Sequence, residues 1–365
     1  KISIASAQLF GLKANLYQQT AQSKHNFQFV LDSLASKDTT KHTPLDLHIG
    51  SLIIRHGAVK YDKRYIVSKS GVFSPAHISI SDLSTHIIAN HITDDAINLH
   101  IKKLAFRDKS GLQLNSLSFK LDANKREASL KEFELQLPHS DITLGDIHAT
   151  YKFDNGKLVM PTLQYSGSIE QSKITLSDIA CLLPIFRHFE DAVFFETQFT
   201  GTSTSLRYQK INFKTGSGSI NLQAKGRISD WNSRPAWDVD IANLNLTEES
   251  ISFISHNLGK KINVPKEVTR LGGIHYVGHL SGHGDRLSSK GRLEMGVGNA
   301  DIQLAKNGKN IQAKIATQGI ALDRILANKA FGQVATAIEV KGNKDHLVAK
   351  GEISRFDYNK YSFRN

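Results

Sequence analysis

The most persistent regularity along the chain is a two-residue alternation of apolar and polar positions. It runs through Leu45-Asp46-Leu47-His48-Ile49, Leu112-Gln113-Leu114, Ile147-His148-Ala149-Thr150-Tyr151-Lys152-Phe153 and Val193-Phe194-Phe195-Glu196-Thr197-Gln198-Phe199. Trp237-Asp238-Val239-Asp240-Ile241 and Ile311-Gln312-Ala313-Lys314-Ile315 repeat it. Successive side chains of a strand point to opposite faces, so this pattern predicts strands with one apolar and one wet face. Turn chemistry separates the runs: Lys109-Ser110-Gly111, Asp154-Asn155-Gly156 and Lys306-Asn307-Gly308 predict hairpin loops. The expected fold is all-β and mainly antiparallel.

Helical periodicity is confined to four short stripes. Phe27, Val30, Leu31 and Leu34 share a helix face and predict a helix over 27–34. Ser177-Asp178 predicts an N-terminus for a helix over 178–189, which Pro184 should shorten or kink. Ile251, Phe253, Ile254 and Leu258 follow Thr247-Glu248-Glu249-Ser250 and predict a helix over 248–258. Leu322, Ile325 and Leu326 predict one over 321–328. Stripes this short serve as covers or end plugs of a sheet.

The chain also repeats itself. Gly201 and Leu206, Gly282 and Leu287, and Gly342 and Leu347 share one spacing. A second phrase, Leu-x-x-Lys-Gly-(Arg/Glu)-(Leu/Ile), occurs at 222–228, 287–293 and 347–353. The helical stripes near 179, 251 and 322 recur about seventy residues apart, a period that marks a stacked or extended architecture. Alternation places Leu222, Ala224, Gly226 and Ile228 on one side of a strand, with Leu287, Ser289, Gly291, Leu293 and Leu347, Ala349, Gly351, Ile353 as equivalents. Lys225, Lys290 and Lys350 take the opposite side. Large residues flanking small ones suggest a hollowed apolar face and a basic outer face; the plainer alternative is a sheet whose glycines mark bulges.

Composition narrows the class. With 40% hydrophobic residues among 365, the chain can bury a large surface, and 26 Gly against 7 Pro suits many strands and short turns. One cysteine, Cys181, excludes an internal disulfide framework. The net charge of +12 favours anionic surfaces, although the Lys and Arg residues are spread evenly along the chain. No stretch approaches the eighteen or so apolar residues that a spanning helix needs. The chain opens at Lys1 and reads as a segment of a longer protein, with any membrane anchor outside it.

Catalytic signatures are missing: there is no nucleophile elbow, no His-Glu-x-x-His pair, no phosphate loop and no dinucleotide fingerprint. We expect no enzyme and no cofactor. His275, His279 and His283 form the best metal candidate, but on a strand they would spread over about 13 Å at roughly 3.3 Å per residue, too far for one ion. Asp94-Asp95 and Glu248-Glu249 sit beside turn or helix-start signals. Aromatics are mostly Phe on apolar faces, not interleaved with basic residues as nucleic-acid binding would require.

Several phrases give the chain a family likeness. They are the segment 26–34, the segment 49–62 with its Gly57 and closing Tyr61-Asp62 turn, Leu137-Pro138-His139-Ser140-Asp141-Ile142, and Leu322-Asp323-Arg324-Ile325-Leu326 with Phe331-Gly332-Gln333-Val334. In these the chain resembles the AsmA-like periplasmic proteins, and among them the translocation and assembly module (TamB) branch. The resemblance implies an elongated, twisted half-pipe or taco-shaped sheet with an apolar groove and a few short helices. It also implies an inner-membrane-anchored protein of a Gram-negative cell envelope, crossing the periplasm. Its implied roles are phospholipid movement to the outer membrane and outer-membrane protein assembly, with an outer-membrane barrel assembly protein as partner.

The expected organisation is one extended repetitive β-groove segment over 1–365, with division into 1–170 and 171–365 as the alternative. Two functions stay open. One is a lipid-transfer conduit whose groove, lined by Leu222, Ala224, Ile228, Leu287, Leu293, Leu347, Ala349 and Ile353, shields phospholipid acyl chains. The other is an assembly scaffold whose sheet edge templates client strands. A polysaccharide-binding solenoid should show rows of exposed Trp or Tyr, and only Trp231 and Trp237 are present.

Overall fold

The computed structural model describes residues 2–29, 46–154, 156–260, 262–343 and 345–365. Regular structure in it is almost wholly strand, paired mainly antiparallel, with a few short helices. The chain divides into two compact units, Lys1–Ala192 and Val193–Asn365.

In the first unit β1 (Ile2–Ile4), β2 (Ala7–Phe10) and β3 (Lys13–Gln18) lie in series along one long strand, β4 (Asp46–Lys63), and run parallel to it. An antiparallel meander follows: β5 (His77–Thr93), β6 (Ala96–Asp108), β7 (Gln113–Asn124) and β8 (Glu127–Gln136). The next place in the sheet is shared by β9 (Asp141–Leu144) and β10 (Ile147–Thr150), both paired with β8. A small hairpin, β11 (Phe153–Asp154) and β12 (Lys157–Leu158), precedes β13 (Gln164–Ile174), which closes on β9 and β10.

The second unit is a meander without exceptions. Its strands are β14 (Val193–Thr202), β15 (Ser205–Thr215), β16 (Ile220–Ser229), β17 (Ala236–Leu246), β18 (Ile274–His283) and β19 (Arg286–Met295). They continue as β20 (Gly298–Asn307), β21 (Asn310–Ala321), β22 (Phe331–Gly342), β23 (Leu347–Tyr358) and β24 (Tyr361–Arg364). From β15 onward each pairs antiparallel with the strand before it. Gly111 and Gly308 adopt φ of +99° and +56° in the β6–β7 and β20–β21 turns, conformations that a side chain resists.

Helix expectations fare unevenly. Ser250–Asn257 and Leu322–Leu326 are helical as the apolar stripes predict, the latter ending at Ala327 with φ 50°. The helix expected over 178–189 is instead two 3-10 turns, Leu176–Ile179 and Pro184–Phe186. Pro184 lacks an amide hydrogen and its ring clashes with the preceding turn, so it opens a second turn and cannot continue the first. Lys266–Thr269 adds a short helix with no apolar stripe. Of the stripe over 27–34, Val30, Leu31 and Leu34 lie outside the described residues. The segment 49–62 has no turn at Tyr61-Asp62: all of it belongs to β4, which absorbs its irregularity in register shifts and in His56 at φ 53°.

The repeat resolves into a four-strand module. Helices Ser250–Asn257 and Leu322–Leu326 follow β17 and β21, so β14–β17 and β18–β21 are equivalent and β22 begins again. Each module opens with a hairpin closed by a Gly–Leu pair directly across the ladder: Gly201 with Leu206, Gly282 with Leu287, Gly342 with Leu347. The Lys-Gly phrase is a different matter. It falls on β16, β19 and β23, and because β16 is three strands from β19 it runs in the opposite direction there.

Candidate functional site

Residues directly paired across a ladder share a face, so the register lists reveal continuous rows. In the second unit one row passes through Ile211, Ala224, Ile241, Gly278, Gly291, Ile302, Ile315, Ile338 and Gly351. A second contains Gly226, Val239, Leu280, Ser289, Leu304, Ala313, Val340 and Ala349. A third joins Leu206, Ile228, Trp237, Gly282, Leu287, Lys306, Ile311, Gly342 and Leu347. A fourth runs Phe213, Leu222, Leu244, Tyr276, Leu293 and Ala300, and resumes beyond a register shift as Thr317, Thr336 and Ile353. Lys306 is the one charged residue in these four rows.

All eight residues expected to line the apolar side therefore share one face, in four adjacent rows. Their surroundings differ. Ala224 is buried, in a cluster with Ile241 and Tyr276 that Leu222 and Leu293 pack against. Ile228 and Leu287 are half-buried, whereas Leu347, Ala349 and Ile353 are exposed. Lys225, Lys290 and Lys350 share the opposite face, in a row that reads Lys225, Asp240, His279, Lys290, Gln303, Lys314, Glu339, Lys350.

Gly291 neither hollows the face nor marks a bulge. Gly291 sits in unbroken register with both neighbouring strands, and the shifts near Gly226 place the extra residues on β15 and β17. At Gly291 the room is taken by an aromatic ring from the next strand: a Cβ there would stand 2.6 Å from Cε2 of Tyr276. The Tyr276 hydroxyl reaches Ser289 Oγ at 3.1 Å, which satisfies its polar end on an otherwise apolar surface. Trp237 fills the place beside Gly282 in the same way.

The first unit has an apolar face that the repeat phrases do not announce. One row joins Ile4, Ile49, Ala89, Leu99, Leu121, Leu130 and Ile147, and another Leu9, Ile54, Thr85, Leu104, Leu117, Leu135 and Ile142. The signal that could have found them is the strand alternation itself, aligned strand against strand.

These faces are sparsely covered. Few apolar side chains of either unit are fully buried, and the contacts between elements run mostly between neighbouring strands.

The polar face carries its own order. His279 stands between two carboxylates of β17, with Nδ1 2.8 Å from Asp240 and Nε2 3.2 Å from Asp238. The hydrogen bond to Asp240 lifts the imidazole above its usual value, and the same bond holds Asp240 below the usual carboxylate range. His275 meets Glu294 at 3.2 Å. Among the described residues no three His, Cys, Asp or Glu side chains are grouped to hold a metal ion, and no helix is long and apolar enough to cross a membrane. No protein-family model matches the chain, and neither a curated protein nor a solved structure matches it.

Proposed function

We propose that the chain is a lipid-transfer path, on which phospholipid acyl chains lie against the apolar sheet faces while headgroups stay in water. The observation that carries this reading is the continuity of the apolar rows, one strand after another, on a face with little protein over it. Exposing a sixteen-carbon chain to water costs on the order of 12 kcal/mol, at about 0.8 kcal/mol per methylene. A row of mostly apolar sites would remove much of that cost along the path. From β15 to β23 such a row spans eight strand spacings, roughly 38 Å along the sheet at about 4.8 Å each. The resemblance to AsmA-like periplasmic proteins would put this path between the inner and outer membranes of a cell envelope.

One observation favours the assembly-scaffold reading. Along Leu347 to Ile353, β23 pairs with β22 on one side, and among the described residues no strand pairs on the other. Such an edge can accept a client strand. Single cysteines at 347, 350 and 353, treated with a photoreactive acyl lipid during transfer between vesicles, separate the two. The lipid path predicts cross-links at 347 and 353 and few at 350. Equal cross-linking at all three, with capture of an unfolded barrel-strand peptide instead, would overturn it.

A further inference from the structure

Among the described residues the two most exposed large apolar side chains are Val67, at 91%, and Ile185, at 73%. Both belong to loops at one margin of the first unit, where β4, β6, β8 and β13 end and β5, β7 and β9 begin. Val67 lies in the connection from β4 to β5, beside exposed Tyr65 and Ile66. Ile185 lies in the loop that follows β13, with exposed Leu182 and Leu183. Neither loop is loose chain. The Ser177 amide donates to the Phe189 carbonyl at 3.0 Å and closes the second loop, while Phe186 and Phe189, both half-buried, pack edge to face with centroids 5.6 Å apart. The first is tied to β3 by the Arg64 amide on the Gln18 carbonyl, at 3.0 Å, and by the Tyr65 hydroxyl on Gln18 Oε1, at 3.1 Å. The Phe73 amide donates to the Cys181 carbonyl at 2.9 Å and joins the two loops.

We propose that this margin of the first unit inserts the two loops into the surface of an anionic bilayer. Folded loops that half-bury their aromatic residues yet hold aliphatic ones outward mark an interaction surface. The charge pattern says which kind. Neither 64–76 nor 179–189 contains an acidic residue, and Arg64, Lys69 and Arg187 are exposed there. Glu190 and Asp191 come only after the second loop has closed, and the β5–β6 turn at the opposite margin is Asp94-Asp95. Projecting tips need no matching pocket in a bilayer. Aliphatic groups enter below the headgroups, a tyrosine stays among them, and basic side chains meet the lipid phosphates. The inference does not depend on the lipid path, because the loops belong to the first unit and vesicle binding is read without transfer.

Flotation of the whole chain with phosphatidylcholine vesicles, with and without phosphatidylglycerol, tests this. The parent should float with the vesicles that contain phosphatidylglycerol and far less with phosphatidylcholine alone. Val67→Asp and Ile185→Asp should each weaken binding by at least about tenfold, the loss of one inserted aliphatic side chain. Lys69→Gln and Arg187→Gln should each weaken it about fivefold, and less in high salt. Leu158→Asp, exposed at the opposite margin, should bind like the parent. Parent binding to neither vesicle, or aspartate variants at 67 and 185 that bind like the parent, would overturn the proposal. Equal binding to both vesicles would overturn its anionic requirement. A dimer that Ile185→Asp disperses, with no vesicle binding, would overturn it in favour of a second copy of the chain. The substituted side chains are exposed, so unchanged melting temperatures show that each variant is folded.

Discussion

The indole of Trp237 occupies the space that a side chain at position 282 would fill: a Cβ built on Gly282 would stand 2.6 Å from both Cζ2 and Nε1. The two residues are direct ladder partners, so the glycine is a seat for the ring. Gly282→Ala should therefore destabilise the chain by about 1–3 kcal/mol through overpacking. In a Trp237→Ala background the same change should cost less, since the three nearest atoms at that position all belong to the indole. Urea unfolding of the four proteins closes the cycle, and additive effects would remove the seat from the account.

A charge on the apolar face should act differently at its two ends. Ala224 is 8% exposed, so Ala224→Asp buries a carboxylate without a partner and should cost on the order of 3 kcal/mol. Ala349 is exposed, and Ala349→Asp should change stability by no more than about 0.5 kcal/mol. If the faces carry acyl chains, Ala349→Asp should slow vesicle-to-vesicle transfer while the protein melts normally. Equal melting shifts for both variants would contradict the burial difference.

His279 gives the second unit a pH-dependent clamp between β17 and β18. Its native value is raised by Asp240, so its contribution is complete below the unfolded imidazole value of about 6.5 and fades as pH rises through the native one. Asp240 is shifted down, so its share is present above about 3.9 and fades as pH falls through its lower native value. The difference in melting temperature between the parent and His279→Gln should therefore peak near pH 5–6 and shrink toward pH 9. A constant difference across that range would deny the clamp.

Asp178 holds the end of the first unit's last long strand. Its carboxylate accepts from Ser140 Oγ at 2.7 Å, from the His139 amide at 3.0 Å and from His139 Nδ1 at 2.8 Å. Ser140 is 1% exposed. Asp178→Ala should cost about 2–3 kcal/mol, because buried donors lose their acceptor. His139→Ala should cost far less, as its side chain is 69% exposed. Similar losses for the two would point to the imidazole as the anchor.

Legibility in the sequence depended on whether a signal was local. Strand alternation at 193–199 and 237–241 is fixed by neighbouring residues, and β14 and β17 stand where it says. The Gly-x4-Leu phrase was legible as repetition, and the structure adds its cause: both residues close one hairpin. What the hollow at Gly291 contains was not legible, because Tyr276 is on another strand and registers are not written in spacing. The same limit hid the rows of the first unit, where no phrase recurs. Bulges in β4 likewise let one strand run through a segment whose local chemistry suggests a turn.

The four-strand module makes the second unit a ruler with a fixed graduation. Because four is even, adding or deleting one whole module returns the chain to the same margin, with the same face inward and the same helix-bearing side. Each graduation would lengthen the apolar rows by about 19 Å, four spacings of roughly 4.8 Å. Gain or loss of a single strand would instead swap the turn margin with the helix margin for everything downstream. Lineages that must span gaps of different width can thus be expected to differ by whole modules and to keep their odd-strand variants rare.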